Sequence, residues 1–262
     1  MDSKQHHTEL PLPWLEAGDA FPPVTQAGGL DSTIPGLLAA GGALDVATLK
    51  SAYSQGIFPW FSEGQPILWW STDPRMVLQV ADFKLQPSLR KTLQKFRTGF
   101  NGKVDCAVRF DTAFDQVIAA CALSLRPGQD GTWIVPKMVH AYLNLHKAGY
   151  AHSVETWVNG ALVGGLYCVN IGGVVFGESM FSRATDASKI ALAALVCFCR
   201  ANEVTMIDCQ QNTPHLASLG AREMPRSDFV DQLGHNIDKP APVWRFEPHL
   251  WNQLLPLLNT RK

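Results

Sequence analysis

The stretch AHSVETWV, residues 151–158, is followed by NG at 159–160, LVGGLYCV at 162–169, NIGG at 170–173 and VVFGES at 174–179. Three apolar, strand-forming runs are separated by turn signals. Asn159-Gly160 is a strong two-residue hairpin signal, and Asn170-Ile171-Gly172-Gly173 marks a second reversal. The expectation is a meander of strands over 151–158, 162–169 and 173–179. Next, Ala187 to Asn202 carries Ile190, Ala194, Leu195 and Phe198 at helical spacing, and Val204 to Cys209 reads as a buried strand. A meander, a helix and a further strand predict a mixed sheet. Such an order does not by itself fix a function.

Outward from this centre the pattern is α/β throughout. Upstream, the chain predicts a helix over 43–55 with Leu49, Ala52 and Tyr53 on one face, a strand over 76–80, a helix over 86–97, a strand over 104–110 and helices over 112–123 and 136–147. Pro136 suits the first turn of the last of these. Between residues 56 and 75 lie Gly56-Ile57-Phe58-Pro59-Trp60-Phe61, Ile67-Leu68-Trp69-Trp70 and Asp73-Pro74-Arg75. Pro59, Pro66 and Pro74 argue against a long regular element there. Residues 1–33, rich in Pro, Gly and polar types, predict an extended or loosely packed lead-in. The pattern changes near residue 75, dividing the chain into 1–74 and 75–262.

Composition narrows the function classes. The chain has 262 residues, 22 Lys and Arg against 23 Asp and Glu, and a net charge of -1. A nucleic-acid partner would have to use a local basic patch. The six cysteines, Cys106, Cys121, Cys168, Cys197, Cys199 and Cys209, form no CxxC pair and lack a His-x3-5-His partner. They predict reduced thiols in a cytosolic protein, with no zinc site. The start of the chain lacks the basic and apolar regions of a signal peptide, and no apolar run reaches membrane-span length. A cytoplasmic location is expected.

Several residues are candidates for chemistry. Glu178 ends the apolar run Val174-Val175-Phe176-Gly177, where a carboxylate is costly unless paired. It either serves a site or pairs internally with Arg183 or Lys189. Asp208 and Gln210 follow Val204–Ile207 and by alternation share a face with Met206, opposite Ile207 and Cys209. Asp208 can orient the Gln210 amide toward a substrate, or the pair caps the strand exit at Gln211-Asn212. Trp60, Trp69, Trp70 and Trp133 suit a core or a stacking platform for bases. Gly177-Glu178-Ser179 is not a nucleophile elbow. No glycine-rich loop enters the helix at 187, where a coenzyme-A transferase would hold pyrophosphate.

Taken together, the motifs resemble the bacterial leucyl/phenylalanyl-tRNA–protein transferases. The matching stretches are Ala52-Tyr53 with Gly56 to Phe61, Pro66 to Ser71 with Asp73-Pro74-Arg75, Gly131 to Ile134, and Ala151 to Glu155. They continue with Leu162 to Tyr167, Phe176 to Arg183, Ala187-Ser188-Lys189, Ile207 to Gln210 and His215 to Ala221. Thr72, Cys168 and Ala43 depart from the usual family residues. The resemblance implies a small N-terminal domain and a C-terminal acyltransferase-like domain. It implies Leu- or Phe-tRNA (with Met as a further donor) and an acceptor protein beginning with Arg or Lys, whose product enters N-end-rule degradation. No cofactor or metal is implied, and a monomer is the working assumption. The family's functional positions fall on Trp60 and Trp133 for the aminoacyl-tRNA end, and on Glu178, Asp208 and Gln210 for acceptor and reaction. Arg90, Lys91 and Lys95 look similar to the family's tRNA-contacting segment. Ile207 and Met180 are expected to line an apolar pocket for the Leu or Phe side chain. Two other readings remain at this point: a coenzyme-A N-acetyltransferase and a non-catalytic module binding basic N-termini. A transferase building cell-wall peptides shares the fold logic.

Overall fold

A computed structural model describes residues 12–124 and 134–255. The first part of the chain builds a four-stranded sheet from β1 (Trp14–Leu15), β2 (Leu37–Gly41), β3 (Phe58–Pro59) and β4 (Leu68–Trp70), in the order β1-β2-β4-β3. Helix α1 (Val46–Ser54) lies between β2 and β3 and buries Leu49, Ala52 and Tyr53, the face its spacing predicts. Asp45 caps it by accepting the Thr48 N–H at 3.0 Å. The strands are short, as the prolines require. Not all of the lead-in is loose: β1 pairs in parallel with β2, and Phe21 and Ala27 are buried in the core. Composition could not show this, because the pairing partner lies some way along the chain.

The larger part is a seven-stranded mixed sheet. Its strands are β5 (Arg75–Gln79), β6 (Cys106–Phe110), β7 (Ala151–Val158), β8 (Ala161–Ile171), β9 (Val174–Ser182), β10 (Met206–Gln210) and β11 (Arg222–Met224), in the order β11-β5-β10-β9-β8-β7-β6. The helices are α2 (Pro87–Arg97), the four-residue α3 (Gly99–Gly102), α4 (Phe114–Ala122), α5 (Pro136–Lys147), α6 (Ala187–Ala201), α7 (Pro214–Ser218) and α8 (Arg226–Asn236). The meander is antiparallel through β6, β7, β8 and β9. β9 and β10 are parallel, so they need a crossover, and α6 supplies it. The short β11 and helices α7 and α8 carry weak periodic signals, and periodicity does not predict them.

Two turns show why the meander forms where it does. Asn159 and Gly160 both have positive φ, 50° and 74°, and join Val158 to its partner Ala161. That is the two-residue geometry whose twist matches the strands. At Gly172, φ is +56° and an added Cβ would lie 1.9 Å from the Ile237 carbonyl oxygen, so only glycine fits.

Apolar side chains fill both faces of the large sheet. One face packs Tyr167, Phe176 and Met206 against α1, α4, α5 and the small sheet. The other packs Val154, Val175 and Ile207 against α2, α6 and the chain around Trp251. Helix α6 is covered on nearly all sides, which explains its unbroken apolar sequence. Four of the six cysteines are buried, and all six are free thiols.

Candidate active site

The site is built where β9 and β10 part. The two strands pair only at Ile207↔Val175 and Asp208↔Phe176. Both are irregular at this point. On β9, Tyr167 and Cys168 of β8 face Ser179 and Gly177, leaving Glu178 as the extra residue of a bulge. On β10, Asp208 and Gln210 face Val77 and Met76, leaving Cys209 as the extra residue. Bulges bend a strand and re-aim its side chains, and they are frequent beside active sites. Gln210 itself has a left-handed backbone, φ 55°. Simple alternation, which placed Asp208 and Gln210 on one face, therefore does not hold across residue 209.

Glu178 is half-buried. The Tyr53 hydroxyl donates to its Oε1 at 2.8 Å and the Tyr142 hydroxyl to its Oε2 at 3.0 Å. Burial pushes its pKa up to about 7, against the two hydroxyls, which lower it. The internal ion pair considered for Glu178 is not formed. Lys189 pairs with Asp186 at 2.9 Å, and the Arg183 guanidinium lies 5.3 Å over the Phe181 ring. Among the described residues, no cation makes a hydrogen bond or ion pair with Glu178.

Asp208 is fully buried and grips Arg75 with both oxygens, Nε to Oδ1 at 2.8 Å and Nη2 to Oδ2 at 2.7 Å. Its Oδ1 also accepts the Gln210 backbone N–H at 3.0 Å. This corrects the expectation that Asp208 holds the Gln210 amide: it holds the Gln210 backbone. The Gln210 Nε2 is buried with no partner among the described residues. Thr72 Oγ1 donates to the Gln210 carbonyl at 3.0 Å, so the backbone is held from both sides. The Arg75 guanidinium is sandwiched 4.8 Å from Phe58 and 4.6 Å from Phe229. Sequence reasoning missed the role of Arg75; the only signal was a charge opening an apolar strand. It also missed Tyr142.

The other candidates are distributed as follows. Ile207 and Met180 pack in the apolar cluster on the second face of the sheet. Gly177 adjoins Ile207, and a Cβ there would sit 3.5 Å from Ile207 Cγ2. Trp60 is half-buried, edge-on to Trp70 at 5.4 Å, and its carbonyl accepts the Trp70 Nε1–H at 2.6 Å. Trp133 and the preceding Gly131-Thr132 lie outside the described residues. Arg90, Lys91 and Lys95 are exposed on α2, whose Leu89, Leu93 and Phe96 face inward. Arg90 also reaches the Leu254 carbonyl at 3.4 Å. Thr92 ties α2 to the start of α6 through Asp186 at 3.2 Å. The α6 N-terminus thus carries a carboxylate where a coenzyme-A enzyme would receive pyrophosphate.

Comparison with known proteins shows the family. The family model described as leucyl/phenylalanyl-tRNA protein transferase matches residues 77–234, and the model of its N-terminal domain matches residues 42–73. Curated relatives bear the name leucyl/phenylalanyl-tRNA–protein transferase. One from Polaromonas sp. (strain JS666 / ATCC BAA-500) is 64% identical over 94% of each chain. One from Albidiferax ferrireducens is 61% identical over 94% of this chain and 95% of that one. One from Leptothrix cholodnii is 58% identical over 93% and 95%. The class is that of transferase enzymes. The chain belongs to the leucyl/phenylalanyl-tRNA–protein transferase family. No described helix is long and apolar enough to cross a membrane.

Proposed function

We propose that this chain transfers Leu or Phe, with Met as a further donor, from aminoacyl-tRNA to the N-terminal amine of proteins beginning with Arg or Lys. The carrying observation is Glu178, a half-buried carboxylate that receives two neutral hydroxyls and no cation among the described residues. Such a group can take a cationic N-terminus through charge-assisted hydrogen bonds.

The chemistry makes modest demands. The amine nitrogen attacks the ester carbonyl carbon, a C–N bond forms, the C–O bond to the tRNA ribose breaks, and the proton lost by the amine ends on the ribose oxygen. The ester is already activated, and an α-amine with a pKa of about 7.7–8.0 has a usable neutral fraction near neutrality. Holding the two together accounts for much of the rate. In this reading Glu178 seats the acceptor. Gln210, its backbone fixed by Asp208, presents its amide oxygen to the amine N–H and steers the departing proton toward the leaving ribose oxygen. Trp60 and Trp133 receive the aminoacyl-tRNA end, Met180 and Ile207 line the side-chain pocket, and Arg90, Lys91 and Lys95 meet the tRNA backbone. Residues 1–74 would form the smaller domain and 75–262 the transferase domain. The setting is the cytoplasm, and the product enters N-end-rule degradation. Purified protein given radiolabelled Leu-tRNA and a peptide starting with Arg should place label in the peptide. Labelled acetyl-CoA should not. Label from acetyl-CoA alone would reject the reading.

A further inference from the structure

The Tyr53, Tyr142 and Glu178 side chains come from three elements and meet in a triangle. Besides the two hydrogen bonds to the carboxylate, the two phenol oxygens lie 2.5 Å apart. The triangle thus has three oxygen–oxygen edges, and the two hydroxyls bring two protons. If Glu178 is ionised and both hydroxyls donate to it, the phenol oxygens face each other at 2.5 Å with lone pairs alone. If one hydroxyl instead donates to the other, one edge to the carboxylate is left without a proton. A third proton, on Glu178, satisfies all three. With Glu178 protonated, the bond at Oε1 is the reverse of the one the ionised carboxylate accepts: Tyr53 donates to Tyr142, Tyr142 donates to Oε2, and the carboxyl O–H at Oε1 donates to Tyr53.

We propose that Tyr53, Tyr142 and Glu178 form a three-proton ring in the free protein, and that the acceptor's cationic N-terminus displaces the third proton to solvent when it binds. The inference rests on Glu178 receiving that N-terminus. The exchange balances: a neutral carboxyl and the cationic side chain of the acceptor's first residue become an ion pair plus one released proton, and the α-amine stays free to react. No covalent bond changes beyond that O–H.

The surroundings agree. Tyr53 of α1 and Tyr142 of α5 are fully buried, and burial, then the Glu178 charge, raises both phenol pKa values well above the ordinary one. The hydroxyls stay protonated and cannot themselves relieve the crowding. Asp208 of β10 disfavours a second negative charge on Glu178 and Arg75 of β5 favours it, but Arg75 is already paired with Asp208. Tyr167 of β8 stands edge-on to Tyr142 at 5.3 Å. Burial holds the Glu178 carboxyl near half-protonation close to neutral pH. The ring also ties α1 to α5 and β9.

Two measurements on the full-length protein test this. Infrared difference spectra of the free protein during a pH titration should show a protonated carboxyl band lost near pH 7. The band should be missing from Glu178→Gln. If that variant does not fold, Tyr142→Phe serves, because it removes two of the three edges and should shift the pH at which the band is lost; an unshifted titration overturns the ring. Absence of any such band near neutrality overturns the ring. Calorimetry with a peptide beginning with Arg, at about pH 6 in two buffers of different ionisation enthalpy, should show release approaching one proton per peptide. Binding with equal heats in both buffers overturns the displacement. A protein that shows the band and does not bind the peptide retains the ring and rejects the acceptor role of Glu178.

Discussion

Arg75 and Asp208 form a two-point ion pair with neither side chain exposed, across β5 and β10, beside the place where β9 and β10 part. The pair spans 133 residues of sequence. Its carboxylate also holds the Gln210 backbone. In the proposed mechanism stability and activity are therefore joined at one carboxylate.

Asp208→Ala should lose both. Leaving the Arg75 guanidinium buried and unpaired costs about 3–5 kcal/mol, and the Gln210 N–H loses its acceptor. The melting temperature should fall, and the single-turnover transfer rate should fall more than Leu-tRNA affinity does. Replacing both partners, Arg75→Met with Asp208→Leu, should restore much of the stability and leave transfer low. Recovery of transfer in that double variant would remove Asp208 from the mechanism.

Glu178→Gln should raise the acceptor KM, weaken the preference for Arg over a neutral first residue, and leave Leu-tRNA binding nearly intact. Its effect on stability should depend on pH. The folded pKa of Glu178 is raised to about 7 from the ordinary 4.5. Its favourable contribution is thus complete below the unfolded value and lost as pH rises through the folded one. The variant should be more stable relative to the parent at high pH than at low pH, by a difference of up to about 3 kcal/mol. Melting curves at several pH values read this directly; a difference independent of pH would count against the buried carboxyl.

Lys91→Glu with Lys95→Glu should weaken tRNA binding. The side chains are exposed on a helix whose apolar face is elsewhere, so folding should be little changed. For every phosphate that the helix no longer neutralises, the slope of log affinity against log salt should shrink by roughly 0.7–0.9. Unchanged affinity and slope would show that the tRNA lies on another surface.

Leu-tRNA should be a better donor than Ile-tRNA. Met180 and Ile207 pack in the apolar cluster on the α6 side of the sheet, and in the proposed function they line the side-chain pocket, where branching at Cβ adds bulk near the backbone. Shape selection of this kind is worth about 1–3 kcal/mol, or roughly 10–200-fold. Equal rates from the two donors would refute the pocket assignment.

The sequence by itself determined the elements whose signal is local. The meander follows from strand-forming runs punctuated by Asn159-Gly160 and by the glycines at 172 and 173. Helix α5 runs over Pro136–Lys147 as its first-turn proline and spacing predict, and the exposed basic face of α2 follows from periodicity alone. The motif set also carried the family and pointed to Glu178, Asp208 and Gln210. Only the tertiary structure decided what those residues touch. Tyr53 reaches Glu178 from 125 positions away and Tyr142 from 36. Asp208 turns to Arg75, and Glu178 turns to the two tyrosines instead of Arg183 or Lys189. The physical reason is that periodicity assigns a side chain to a face, whereas its partner depends on how distant elements pack. At this site two bulges also interrupt the alternation from which the face was read.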